Sequence, residues 1–147
     1  MNGAFTQNRK KAFIDFFQND RFAKVNSMIL EDLEYGWARA SMQVGSNHLN
    51  AADMVMGGAL FTLCDFAFAA ASNSYGSLAV GTQMDFHLIK SPKTERIVVE
   101  AVEINRGRTL GIYEMSLRDG DGQLCSKMTG TVILYPDRSL FPGSIEI

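Results

Sequence analysis

Between Ala59 and Ala71 nearly every residue is apolar or small. No polar stripe breaks the run, which predicts a helix buried on most sides rather than a surface helix with one oily face. It is too short to span a bilayer. Nearer the N-terminus, Ala12, Phe13, Phe16 and Phe17 recur at helical spacing within residues 8–19, with basic residues leading and Asp15 and Gln18 on other faces. That spacing predicts an amphipathic helix whose aromatic stripe lies on the body of the protein. A membrane-surface helix is the alternative, but the polar face is short and mixed in charge. Residues 1–7 read as a loose terminus.

Strand patterns fill most of the rest. Met28 to Tyr35 and Trp37 to Val44 alternate imperfectly and are joined at Gly36. Gly45 to Asp53 is polar and turn-rich, a loop leading into the long helix, and Asn73 to Ser77 form a second turn around Gly76. Leu78 to Ile89 places Val80, Thr82, Met84 and Phe86 on one face. Arg96 to Asn105 puts Ile97, Val99, Ala101 and Glu103 on one face. Thr109 to Arg118 sets Leu110, Ile112, Glu114 and Ser116 against Gly111, Tyr113, Met115 and Leu117. Asp119-Gly120-Asp121-Gly122 is a hairpin turn, and Gln123 to Tyr135 is a last strand that Pro136 should end, with a loose tail from Asp137. A helix, a hairpin, a long helix and an antiparallel meander make an α+β domain in which one sheet buries one helix.

With 147 residues, a single domain is expected. The net charge of −2 leaves no basic footprint for nucleic acid. Residues 7–11 are polar and no uninterrupted apolar core follows them, so no signal peptide is read. Cys64 and Cys125 have neither metal-ligand spacing nor a disulfide framework, which points to a cytoplasmic protein with reduced thiols.

Two features sit awkwardly in an apolar helix. Gly57 and Gly58 stand at its start, where a backbone without side chains lets a ligand approach exposed N–H groups. Asp65 stands in its middle, and a buried carboxylate is costly unless it is paired or used. Cys64 lies about 100° round the helix from Asp65 and should pack in the core. His87 reads as a strand histidine and His48 as a residue that caps the loop. No Gly-x-Ser-x-Gly elbow is present, which argues against a serine-hydrolase triad.

The order Asn50, Gly57-Gly58, Asp65, with strands alone after the helix, resembles the hot-dog-fold acyl-CoA thioesterases, most closely the phenylacetyl-CoA type. That family carries an Asn, a His-Gly-Gly at a helix start and an Asp two turns on. Here Met56 stands in place of the His, and Asp53 in place of a Gly often found in the loop. The resemblance spans residues 26–136.

It implies a long central helix wrapped by an antiparallel sheet, and hydrolysis of an acyl-CoA without metal or other cofactor. Asp65 would act as general base or nucleophile. The N–H groups of Gly57 and Gly58 would polarise the thioester carbonyl. Asn50 would orient water or the carboxylate. Met56 and Phe61 would touch substrate, and Arg106, Arg108, Lys90 and Lys93 would hold coenzyme A phosphates. A homodimer, itself paired into a tetramer, would share the site between chains, with no nucleic acid or membrane partner. A non-catalytic acyl-CoA-binding protein is the alternative reading, because Met56 removes a donor. A dehydratase or hydratase is a third, but it needs a His beside an acid and the helix start supplies none.

Overall fold

The apolar run forms α3 (Gly57–Asn73), whose buried residues include Leu60, Leu63, Cys64, Ala67, Phe68 and Ala71. Residues spaced this way cover more than one face, so α3 needs partners on several sides. The computed structural model, which describes residues 4–141, supplies them from a sheet below and two N-terminal helices beside it. In chain order, α1 (Gln7–Gln18), α2 (Arg21–Val25), β1 (Met28–Glu34) and β2 (Trp37–Gln43) precede α3. After it come β3 (Ser77–Leu88), β4 (Arg96–Arg106), β5 (Leu110–Asp119) and β6 (Leu124–Ser139). The strands form one antiparallel sheet in the order β1-β2-β4-β5-β6-β3, leaving β1 and β3 as its edges. α3 packs across β2, β4, β5 and β3, which is the expected α+β hot-dog arrangement of a long helix on an antiparallel sheet. Among the described residues, no helix is long and apolar enough to cross a membrane.

Alternation holds where it was clean. Ile97, Val99 and Ala101 of β4 and Gly111, Tyr113, Met115 and Leu117 of β5 face α3. Gly130 of β6 lies beneath the Phe68 ring, and a Cβ there would sit 2.7 Å from the ring carbon Cζ. A side chain would therefore lift α3 off the sheet. At the far end of α3, the Asn73 side chain accepts from Ala79 N at 2.8 Å and donates to Ala79 O at 3.1 Å, which ties the helix end to β3.

Five expectations change. In β3 a register shift between Gly81 and Gln83 switches which residues face inward. Ala79 is buried before it and Met84 and Phe86 are half-buried after it, while Val80 is 44% exposed. β6 runs through Pro136 rather than stopping there. The ladder jumps from Leu78↔Tyr135 to Ser77↔Ser139, so Pro136 lies in the irregular stretch where no ladder N–H is required. The chain from Asp137 to Phe141 is fixed rather than loose: Phe141 is buried, with its ring 5.0 Å from Phe13 and 5.1 Å from Phe16. Residues 142–147 of the expected tail lie outside the described residues, as do 1–3 at the other end. Within the N-terminus, Phe5 packs edge-on against Tyr35, and Thr6 caps α1 by accepting from Arg9 N.

The fifth change is α2, five residues too short to show a period. Asp20 starts it by accepting a hydrogen bond from Ala23 N at 2.9 Å. α1 itself lies on β1 with Phe13 and Phe17 buried, so its aromatic stripe belongs to the core rather than to a membrane surface.

Candidate active site

The loop before α3 is braced from within. His48 is buried, and its Nδ1 accepts from Gly45 N at 2.9 Å. Met56 N donates to His48 O at 2.8 Å. The Asn50 side-chain oxygen accepts from Ala52 N and Met54 N at 2.9 and 3.2 Å, so that oxygen is engaged in shaping the turn. Asp53 has φ 55°, a left-handed conformation that glycine adopts freely and Asp tolerates. That geometry explains how Asp replaces the Gly of the resembling pattern.

The loop delivers Met56 as the N-cap of α3, with no side-chain cap. Ala59 N and Leu60 N donate to Met56 O, while the N–H groups of Gly57 and Gly58 have no acceptor among the described residues. The positive end of the helix therefore offers two free donors. Around Gly58 there is open space: a Cβ would meet nothing nearer than Met56 Cγ at 3.9 Å. Gly57 is closer set, with Leu88 Cδ1 2.7 Å from where its Cβ would be. Asn50, Gly57, Leu88 and Lys90 line one cavity of about 330 Å³, so three of the expected site residues meet at the helix start. Met56 is 53% exposed beside it.

Asp65 faces a different cavity, of about 300 Å³, walled by Asp20, Phe22, Met28, Thr62, Phe66 and Ala69. The carboxyl is half-buried rather than buried, because it lines this opening instead of the core. It has no hydrogen-bond partner among the described residues. Thr62, the obvious internal donor, gives its hydroxyl proton to Gly58 O at 2.7 Å. Burial pushes the Asp65 carboxyl above the usual carboxylate range, and the nearby Asp20 charge adds to the shift. Gly58 and Asp65 stand two helical turns apart, about 10 Å along the axis. The cavity at the helix start, which Gly57 lines, and the cavity that Asp65 lines are thus separate within one chain.

The remaining candidates divide. Phe61 is half-buried and packs edge-on against Phe86 at 5.3 Å on the sheet side of α3. Arg108 is exposed, as is Lys93. Arg106 is not a free phosphate ligand. It donates to Ser72 O at 3.2 Å and Tyr113 OH at 3.1 Å, stacks over Tyr75 at 4.0 Å and lies 4.0 Å from Glu103. These partners hold it at the C-terminal end of α3. Cys64 is fully buried, and burial pushes its thiol up to about 12, with Asp65 adding, so no thiolate forms near neutral pH. His87 is exposed on β3. The sequence reading missed Asp20 and Phe22, although Asp20 carried the signal of a helix cap.

Comparison with known proteins gives the family. Residues 52–126 match the family described as the thioesterase superfamily, a span that contains Gly57, Gly58 and Asp65. The chain belongs to the thioesterase superfamily. An inferred esterase of Archaeoglobus fulgidus is 37% identical over 118 residues, covering 79% of this chain and 76% of that protein. The acyl-coenzyme A thioesterase PaaI of Escherichia coli is 28% identical over 124 residues, 84% of each chain. Among solved structures, a mutant of the phenylacetic acid degradation protein PaaI from Thermus thermophilus has a TM-score of 0.74 and 30% identity. That match covers 78% of this chain and 98% of that one. Asn50 and both N-terminal helices of this superfamily member lie outside the matched span, and α2 with its cap walls the cavity beside Asp65.

Proposed function

We propose that this thioesterase-superfamily protein hydrolyses an acyl-CoA to the free acid and coenzyme A. The observation that carries the reading is Asp65, a carboxyl with no internal partner and a raised pKa, facing a cavity. The carbonyl oxygen of the thioester docks on the free N–H groups of Gly57 and Gly58, which stabilise the negative charge that develops there. Asp65 takes a proton from water as the water attacks the carbonyl carbon. The intermediate then expels the thiolate of coenzyme A, which regains the proton. Direct attack by the carboxylate, followed by hydrolysis of the anhydride, uses the same groups. The Asn50 amide nitrogen has no partner among the described residues and orients water, since the side-chain oxygen is the turn former. Lys90, Lys93 and Arg108 are exposed cations for the phosphates of coenzyme A.

Two copies complete the site in this reading. Reacting groups must approach within roughly 3–3.5 Å, and one helix cannot bring its own start and its own mid-point that close. A two-fold axis sets Gly57 and Gly58 of one chain opposite Asp65 of the other. The free edge of β3, twelve residues long, supports such pairing, because its unpaired backbone groups can continue the sheet into a second copy. Val80, Leu110 and Ile133 are neighbours on the outer face of the sheet and partly exposed, which supports association of dimers into a tetramer. The two free, buried cysteines fit a reducing cytoplasm.

The competing reading is an acyl-CoA-binding protein without turnover, favoured by Met56, whose side chain offers no donor beside the carbonyl. Thiol release from a panel of acyl-CoA esters decides between them. Measurable release supports hydrolysis, and tight binding with no release across the panel supports binding alone.

A further inference from the structure

The cavity that holds Asp65 is made by two short stretches of chain. One wall is a single face of α3, formed by Thr62, Asp65, Phe66 and Ala69 at spacings of three and four. The opposite wall is α2 with its cap, contributing Asp20, Phe22 and Ala23, and Met28 is shared between them. Apart from the two carboxyls and the Thr62 hydroxyl, the lining is apolar, and it contains no Lys or Arg. At about 300 Å³ the cavity is at the small end of ligand sites.

We propose that α2 is the acyl-selecting element: Phe22 limits the size of the acyl group, and Asp20 turns away acyl groups that carry a negative charge. The inference rests on hydrolysis at Asp65 as described above, and it names the substrate class as uncharged, compact acyl groups.

Phe22 is suited to this because it is not a core residue. Phe22 is 63% exposed even though it lines the cavity, so the ring forms a lip beside Asp65. A reacting thioester carbonyl at Asp65 places the acyl chain against Phe22, Phe66, Met28 and Ala69. One methylene more or less in an apolar pocket changes kcat/KM by roughly 10- to 200-fold. Asp20 is fixed by its bond from Ala23 N through Oδ1, and Oδ2 has no partner among the described residues. A carboxylated acyl end would enter a cavity that already holds Asp20 and Asp65, with no cation in its lining to offset them.

The test measures thiol release from hexanoyl-CoA, dodecanoyl-CoA and glutaryl-CoA. The wild type should prefer hexanoyl-CoA to both others by at least about tenfold in kcat/KM. Phe22→Ala should raise the dodecanoyl-to-hexanoyl ratio by about tenfold or more. Asp20→Asn, which keeps an equally good helix cap, should raise the glutaryl-to-hexanoyl ratio about fivefold or more. Val25→Ala changes an exposed residue of the same helix outside the cavity and should leave both ratios unchanged. Ratios that do not move in Phe22→Ala and Asp20→Asn, or that move equally in Val25→Ala, overturn the proposal. If the wild type releases no thiol from any ester, hydrolysis itself fails. The same ratios are then read as dissociation constants by calorimetry, where the same shifts support α2 as selector and unchanged ratios refute it.

Discussion

A carboxyl without a donor, on a helix of small apolar residues, is a cost to the fold that an amide would not carry. Asp65 holds its proton to a higher pH in the folded protein than in the unfolded chain. The native state therefore binds more protons once the pH rises past the unfolded value of about 3.9, and stability falls through that window up to the raised native pKa. Asp65→Asn removes the penalty. Its melting temperature should exceed that of the wild type at pH 7, with the gap closing as the pH falls to about 3; a gap that does not depend on pH would contradict the assignment. Asp65→Ala should lower thiol release at least about a hundredfold, the usual effect of losing a general base or nucleophile. Wild-type turnover in that variant would refute the mechanism. Asp65 could be read from the sequence because its residue type conflicts with its surroundings, a conflict visible without coordinates. The role of Arg106 could not. Its partners Ser72, Tyr75 and Tyr113 come from α3, the turn after it and β5, which only the pairing of β4 with β5 and the docking of α3 bring together.

Among the elements, the start of α3 was legible because Gly-Gly before an apolar run has few structural readings. The parity of β3 and the course of β6 were not, because a bulge leaves no mark on hydrophobic alternation. The start of α3 makes a direct prediction. Gly58→Val places its side chain in open space above the free N–H groups, so it should fold as the wild type does and lose turnover. Gly57→Ala meets only the flexible end of Leu88 and should keep most of its activity. The reverse order would show that Gly58 is not where the carbonyl docks. At the other end of α3, Arg106→Ala leaves Glu103 and Tyr113 without their cation and should cost roughly 2–3 kcal/mol in urea unfolding. Arg108→Ala removes no hydrogen bond or ion pair among the described residues, where Arg108 is exposed. It should raise KM for acyl-CoA with little change in kcat, and leave a pantetheine thioester lacking the nucleotide unaffected. Equal losses on both thioesters would mean that Arg108 serves the fold.

At the scale of the whole molecule, the proposed site needs a second copy, because in a single chain the cavity at the start of α3 and the cavity at Asp65 are separate. The sequence pointed to this twice: the family resemblance implies a site shared between chains, and helical rise converts the seven-residue step from Gly58 to Asp65 to about 10 Å. The measurement that tests the claim most directly mixes Asp65→Ala and Gly58→Val, each inactive alone, by co-refolding in equal amounts. Half of the random dimers are then mixed, and each mixed dimer joins an intact Gly58 of one chain to an intact Asp65 of the other at one of its two sites. A shared site gives recovery of about a quarter of wild-type thiol release. No recovery from a mixture that forms dimers, or a protein that stays monomeric at assay concentration while fully active, would contradict it.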